Sequence, residues 1–243
     1  MVEQGGDSWF FLTADYAFGH ALERDTAAVV DAAGGTVVGA GSHPFPGSDF
    51  SSFLLQAQSS GAQVIGLANA GGDTINTVMQ AAEFGITQAG QSLAGLLIFL
   101  TDVHALSLET AQGLVLTEAF YWDLNEGTRE WSERFAARDG DMPTMVQAGV
   151  YSGVLHYLKA VEETGGKETE ELMAAMKEMP TDDPLFGQGE VREDGRKIHD
   201  MYLFRVKSPD QSEAPWDYYE TLATIPAAEA FRPLEDGGCE FVN

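Results

Sequence analysis

The chain has little cysteine, few basic side chains and no long apolar run. Cys239 is the one cysteine in 243 residues, so no disulfide forms within the chain and no cysteine-based metal cluster exists. The 13 Lys and Arg stand against 38 Asp and Glu, and the net charge is −25. Such a charge argues against nucleic acid and anionic membranes as partners, and fits a solvated acidic surface, a cationic partner or a salty habitat. The apolar runs are far shorter than a membrane span.

The common catalytic and cofactor motifs are also missing. The sequence has no phosphate-binding loop ending in Gly-Lys-Ser/Thr, no Gly-x-Gly-x-x-Gly and no Gly-x-Ser-x-Gly nucleophile elbow. Its histidines share no metal-ligand spacing; they are His20, His43, His104, His156 and His199. We therefore predict no catalytic residue, no metal site and no cofactor.

Through the first 117 residues, strand-like apolar runs alternate with patterns of helical spacing. The predicted strands are 7–13, 36–40, 63–68, 94–100 and 113–117. The predicted helices are 19–33, 50–57, 75–84 and 104–111. This strict alternation predicts the α/β class, with a parallel sheet that helices cover on both faces.

After Thr117 the pattern changes, and residues 118–198 are interpreted as a second structural unit. Helices are predicted at 126–138, 144–163 and 168–178, followed by a polar break at 180–187. Strands are predicted at 189–192 and 199–206, with an irregular tail from Ser208 onward. The second unit has too few predicted strands for a sheet of its own. Its middle helix carries an apolar stripe that we expect to be exposed; the stripe is Val146, Val150, Val154, Leu155 and Leu158.

Polar and aromatic residues follow the predicted strands, and in a parallel sheet these positions meet at one edge, where ligands bind. Such a set suits a small ligand with a flat or apolar body and a few hydrogen-bonding groups. Two alternatives stay open: Tyr16 and Phe18 cover the start of a helix, and Asp102 is only a helix cap. The candidate ligand-binding residues are Tyr16, Phe18, Asn69, Ala70, Gly71, Thr101, Asp102 and His104, with Tyr121 and Trp122 after the fifth strand.

Several segments, taken in order, resemble the substrate-binding proteins of ABC importers, and most of all the branched-chain amino acid type, the type I periplasmic binding proteins. The segments are Trp9-Phe-Phe-Leu-Thr-Ala-Asp-Tyr-Ala-Phe-Gly19, Ser48-Asp-Phe-Ser-Ser-Phe53, Ala68-Asn-Ala-Gly-Gly-Asp73, Gln80-Ala-Ala-Glu-Phe-Gly85, Gly195-Arg-Lys-Ile-His-Asp-Met-Tyr-Leu203 and Pro215-Trp-Asp-Tyr-Tyr219. The resemblance implies two α/β lobes of the type I fold with the ligand held between them. It also implies binding without chemical change and delivery to an ABC permease in the inner membrane.

In that family most of lobe one and a signal peptide would precede the position of Met1, so the resemblance implies a truncated chain that works in the periplasm. Residues 3–118 would be most of lobe two, and 119–195 the returning, incomplete part of lobe one. Residues 196–243 would be the last crossing strand and a tail. Tyr121 and Trp122 would lie at the hinge, and Cys239 could pair with a cysteine outside this chain.

The family's ligand contacts in lobe two match three places in this sequence. Its aromatic residue after the first strand corresponds to Tyr16, and its loop after the third strand is here Asn69-Ala70-Gly71, small enough to leave room for a ring. An acidic residue that takes an amino acid's ammonium corresponds to Thr101-Asp102. The implied ligand is an amino acid or an aromatic acid. Two other functions stay open: a sensor domain of the same fold, or a doubly wound enzyme with Asp15 or Asp102 as general acid or base.

Overall fold

The computed structural model describes residues 1–166, 168–240 and 242, which fall into two units. The first unit contains residues 1–117 and 204–220, and the second contains 118–203 and 221–243. The segment 196–243, which the family resemblance implied to be one piece, is therefore divided between the units. No helix among the described residues is long and apolar enough to cross a membrane.

The first unit alternates strands and helices along the chain. Its strands are β1 (Ser8–Ala14), β2 (Thr36–His43), β3 (Val64–Ala68), β4 (Ser92–Gly95) and β5 (Val115–Glu118). Its helices are α1 (Ala17–Ala32), α2 (Ser51–Ser59), α3 (Gly72–Glu83), α4 (Leu100–Leu106) and α5 (Leu108–Ala111). The predicted alternation is confirmed.

The strands form one sheet in the order β10-β9-β5-β4-β3-β1-β2, completed by β9 (Met201–Val206) and β10 (Tyr219–Ile225). β1 pairs in parallel with both β2 and β3, and β3–β4 and β4–β5 are parallel as well. The predicted parallel sheet is thus confirmed. Because β1 lies between β2 and β3, the strand order reverses beside β1.

The core of the first unit includes β1 and β3, which run side by side. Phe11, Leu12, Ile65 and Leu67 are all 0% exposed, as expected for strands that helices cover on both faces. Close packing explains the glycine at position 66, because a Cβ there would lie 2.7 Å from the Phe11 ring. The apolar runs seen in the sequence are therefore the central strands.

The fourth strand is shorter than predicted, and the helix after it begins earlier. β4 ends at Gly95 and α4 begins at Leu100, whereas the sequence predicted a strand to 100 and a helix from 104. The reason is a cap: Phe99 N donates to Asp102 Oδ2 at 2.9 Å, which fixes the first turn. Ser107, with φ of 65°, separates α4 from α5. Thr101 and Asp102 thus lie in a helix and not in the loop after the strand.

The second unit has helices α6 (Glu126–Asp139), α7 (Met145–Thr164) and α8 (Thr169–Glu178), followed by a short α9 (Ala227–Ala230). The first three agree with the predicted helices to within one residue at each end. A three-stranded antiparallel sheet is also present, built from β6 (Thr181–Asp183), β7 (Gly187–Val191) and β8 (Lys197–Ile198). The expectation that this unit lacks a sheet of its own was wrong, because the polar break contains β6.

Two further strand predictions near the C-terminus need correction. The strand predicted at 199–206 begins two residues later, as β9, and the separate strand β8, which the sequence did not predict, lies before it in the other sheet. The tail, predicted to be irregular, contains β10, and Lys207 N donates to Tyr218 O at 2.8 Å beside it.

The apolar stripe on α7 is exposed, as the sequence predicted. Val150 is 63% exposed, Leu158 is 53% exposed, and Leu155 is half-buried. The stripe borders a groove of about 540 Å³ whose other wall includes Trp131 and Phe135 of α6.

Candidate functional site

The strand order indicates a candidate ligand-binding edge in the first unit. Ligands of open α/β sheets bind outside the carboxyl ends of the strands, at the point where the strand order reverses. Here that point lies between β1 and β3, so the loops that begin at Asp15 and Asn69 flank it. The first loop leads to the predicted site residues Tyr16 and Phe18, and the second contains Asn69, Ala70 and Gly71.

An aromatic face at the ends of β1 and β2 is made by Tyr16 and Phe45, which are exposed, and by Phe18, which is half-buried. The Tyr16 ring stacks on Phe45 with centroids 4.6 Å apart and an interplanar angle of 26°, and the Phe18 ring is 5.7 Å from Tyr16. Tyr16 is 37% exposed and Phe45 54%. Large aromatic side chains left open to solvent at a sheet edge are candidates for ligand contact. Tyr16 also stands at the N-cap of α1, without a side-chain capping bond.

Sequence reasoning missed Phe45, which lies in the connector between β2 and α2. Pro44 and Pro46, on either side of Phe45, are typical of an irregular connector and do not indicate a ligand contact. Nothing in the sequence shows that β2 pairs with β1, yet this pairing is what brings the connector to Tyr16.

The loop after β3 differs from the expectation, because the side chain of Asn69 points into the protein and does not face a ligand. Asn69 is 0% exposed, its Oδ1 accepts from Thr74 Oγ1 at 2.7 Å, and its Nδ2 donates to Thr77 Oγ1 at 3.3 Å. Asn69 therefore shapes the loop from inside. Ala70 is half-buried and Gly71 is exposed, so this loop offers mainly backbone groups to a ligand. Gly71 has φ of 58°, a conformation that favours glycine.

Asp102 uses one carboxylate oxygen to cap α4, in agreement with the alternative kept open from the sequence. The side chain is half-buried, as is Thr101. Burial raises the pKa of the Asp102 carboxyl, and the hydrogen bond from the Phe99 amide works in the opposite direction.

His104 has partners in the C-terminal part of the first unit. Its ring stacks on Trp216 at 4.0 Å with an interplanar angle of 13°, and its Nδ1 lies 2.7 Å from the Tyr218 hydroxyl. Burial raises the pKa of the Tyr218 phenol, against an opposite effect of a hydrogen bond with the Trp216 backbone. These contacts fix the segment 216–218 on α4, a role that the sequence did not indicate.

Tyr121 and Trp122 follow β5 and belong to the second unit. Tyr121 is 4% exposed, and the two rings are 5.9 Å apart. Trp122 packs against a buried cluster that contains Phe120, Trp131 and Leu185. Their assignment to a hinge stays a prediction.

The arrangement at the carboxyl ends of β1 and β3 suits the binding of a small ligand. Stacked rings can hold a flat or apolar body, and the backbone at Gly71 can supply hydrogen bonds. The described residues include no group of three or more His, Cys, Asp or Glu side chains that could hold a metal ion.

Comparison with known proteins gives a consistent result. A family model described as periplasmic binding protein matches residues 1–212. A periplasmic binding protein from Burkholderia mallei is 54% identical, with a TM-score of 0.93 over 100% of this chain and 64% of that one. A branched-chain amino acid ABC transporter periplasmic ligand-binding protein from Burkholderia xenovorans is 40% identical, with a TM-score of 0.90 over 99% of this chain and 64% of that one.

A more distant structure shares the fold. It is an ABC transporter solute-binding protein from Rhodopseudomonas palustris in complex with 3,4-dihydroxybenzoic acid, 23% identical, with a TM-score of 0.78 over 93% of this chain and 62% of that one. No curated protein is significantly similar. The chain spans 64% of the length of the two Burkholderia proteins. The resemblance noted from the sequence is confirmed: the chain belongs to the periplasmic binding protein family.

Proposed function

We propose that this chain binds a small carboxylated molecule, an amino acid or an aromatic acid, without chemical change, as part of the solute-binding component of an ABC importer. The observation that carries the proposal is the aromatic face of Tyr16, Phe18 and Phe45, with Tyr16 and Phe45 exposed, beside the reversal of strand order. The relatives support it: the Burkholderia xenovorans protein is named for branched-chain amino acid transport, and the Rhodopseudomonas palustris protein holds 3,4-dihydroxybenzoic acid. The permease and the periplasmic location belong to the same proposal.

Six residues at the candidate site have a role in this proposal. Tyr16 and Phe45 form an apolar wall, and backbone groups of Ala70 and Gly71 meet the polar groups of the ligand. Asp102 meets an ammonium group if the ligand is an amino acid, and Thr101 lies beside it. Of the two ligand classes we favour the aromatic acid, because the wall is aromatic and Asp102 already caps a helix.

The division into lobes also remains a proposal. Residues 3–118 would be most of lobe two, residues 119–195 the returning part of lobe one, and residues 196–243 the last crossing strand and a tail, with Tyr121 and Trp122 at the hinge. The first unit of the structure would then contain the lobe-two wall of the ligand site.

A thermal-shift screen tests the proposed function. The chain would be joined to the part of the Burkholderia mallei protein that it does not span, a fusion called the chimera below. Leucine and 3,4-dihydroxybenzoate represent the two ligand classes. A ligand that binds the folded state raises the unfolding midpoint in a concentration-dependent way. No shift with any amino acid or aromatic acid would contradict the proposal.

A further inference from the structure

His43 links three loops at the ligand-binding edge, although it belongs to no predicted site. It is the last residue of β2 and is 1% exposed. Its backbone carbonyl accepts a hydrogen bond from Asp15 N at 2.8 Å, directly before Tyr16. The backbone of His43 therefore holds the start of the loop that carries the aromatic face.

The imidazole of His43 holds the other two loops. Nδ1 lies 3.0 Å from Pro44 O, and Nε2 lies 3.2 Å from Asn69 Nδ2. A neutral ring satisfies both contacts if Nδ1–H donates to Pro44 O and Nε2 accepts from Asn69, a tautomer assigned from the hydrogen-bond network. Asn69 is in turn bonded to Thr74 and Thr77 of α3. One buried ring thus connects the loop after β2 with the loop after β3.

Asp73 binds the other end of the connector between β2 and α2. It is 3% exposed, and its Oδ1 accepts from Gly47 N at 3.1 Å. Its Oδ2 has no hydrogen-bond partner among the described residues and lies 3.7 Å from His43 Nδ1. The segment 44–47 is therefore held at both ends, and Phe45 projects from between them onto Tyr16.

We infer that His43 is a positioning residue of the ligand site, which fixes the Phe45 loop and the Asn69–Gly71 loop relative to Tyr16. The part of this inference that concerns a ligand rests on the proposed function. An apolar residue would also pack against Phe50, whose ring is 4.8 Å from the imidazole. Only a side chain with two separated polar atoms, however, bonds both loops at once. A residue with a merely structural role would stabilise the first unit without controlling these loops in particular.

Two substitutions separate the two bonds of the ring. The amide nitrogen of an Asn side chain reaches the position of Nδ1, so His43→Asn keeps the donor to Pro44 O and loses the Asn69 contact. The longer Gln side chain reaches the position of Nε2, so His43→Gln keeps the Asn69 contact and loses the donor to Pro44 O. NMR-detected hydrogen exchange of the backbone amides reports on each loop separately.

The expected exchange results are opposite for the two variants. His43→Gln should accelerate exchange about tenfold at Gly47, whose amide donates to Asp73 Oδ1, and His43→Asn should do so at Ile75, whose amide donates to Gly71 O. His156→Gln is the matched control, because His156 is also buried, at 5% exposure, but lies in the second unit. If a His43 variant fails to fold, Thr77→Val removes one bond of Asn69 and should accelerate exchange at Ile75, whose amide donates to Gly71 O. Acceleration spread evenly over the first unit, or none in either loop, would overturn the inference.

Calorimetry on the chimera separates this inference from the proposed function. With 3,4-dihydroxybenzoate and leucine as probes, both His43 variants should bind about tenfold more weakly than the unsubstituted chimera, and His156→Gln should bind equally well. If the unsubstituted chimera binds but the His43 variants match it, the positioning role is refuted. If it binds neither probe nor any related acid, the proposed function fails, and the exchange results alone decide whether His43 positions the loops.

Discussion

Lys197 Nζ lies 2.9 Å from Asp183 Oδ2 in the interior of the second unit, and the Asp183 side chain is 3% exposed. The same carboxylate accepts from Ser152 Oγ at 2.6 Å and from the amides of Leu185 and Phe186 at 2.9 Å. Burial acts to raise the pKa of Asp183. The hydrogen bonds from Lys197, Ser152 and Phe186, with the charge of Lys197, outweigh it and lower the pKa.

Asp183→Asn is expected to cost about 3 kcal/mol in the free energy of unfolding at neutral pH, because it removes the counter-charge of the largely buried Lys197 ammonium. A carboxyl with a lowered folded-state pKa stabilises the protein above its ordinary pKa, near 3.9, and loses this effect as the pH falls through the lowered value. Urea unfolding should therefore show a smaller difference between wild type and variant at about pH 3 than at neutral pH. Asp182→Asn, at the exposed neighbouring position, serves as the control. An equal difference at both pH values would contradict this assignment.

The exposed apolar stripe on α7 is expected to bind hydrophobic dyes and to cause self-association of the chain. Val150→Gln combined with Val154→Gln should reduce the fluorescence of a hydrophobic dye and the self-association seen by sedimentation, with little loss of stability, because both side chains are more than half exposed. Val29→Gln is the matched control, since Val29 is 68% exposed but lies on α1. Equal dye binding by the double variant and the wild type would show that the stripe is not the surface that binds the dye.

The net charge of −25 is expected to make stability depend on salt. Repulsion among acidic side chains destabilises the folded state, and salt screens it over a distance of about 8 Å at 0.15 M. The thermal unfolding midpoint should rise by about 5 °C between low salt and roughly 0.5 M NaCl, a change of roughly 1–2 kcal/mol. A midpoint that stays flat over this range would mean that the repulsion is already neutralised within the fold.

The sequence predicted those elements whose burial leaves a periodic apolar pattern. β1 and β3 appear as apolar runs because helices cover them, and α7 appears because one face is apolar. β6 did not appear, because Thr181 and Asp183 are buried polar residues held by the fold around them. Buried and exposed residues alternate along β6, but all of them are polar, so the sequence shows no alternation of apolar and polar residues.

The candidate site was only partly predictable for a similar reason. Tyr16 was visible because it follows an obvious strand. The contribution of Phe45 depends on the pairing of β1 with β2, and the inward direction of Asn69 depends on Thr74, Thr77 and His43. Strand order and side-chain direction arise from tertiary packing and are not encoded in local spacing.

Asp102→Asn is expected to reveal the ligand class. An Asn side chain at this position can still accept from Phe99 N, so the substitution removes the charge and keeps the cap. An ammonium-bearing ligand should lose at least about tenfold in affinity for the chimera, whereas an aromatic acid should bind unchanged or better. Equal loss for leucine and for 3,4-dihydroxybenzoate would show that Asp102 acts only through the structure of α4.

The central claim, that the aromatic face binds the ligand, is tested most directly by calorimetry on the chimera with Tyr16→Ala and with Tyr16→Phe as the matched control. Loss of the ring removes an apolar wall worth about 1–3 kcal/mol, so Tyr16→Ala should bind roughly 5–150-fold more weakly, and Tyr16→Phe should bind nearly as well as the unsubstituted chimera. If Tyr16→Ala binds within about twofold of the unsubstituted chimera for a ligand that the latter holds, the claim is contradicted and the site lies elsewhere.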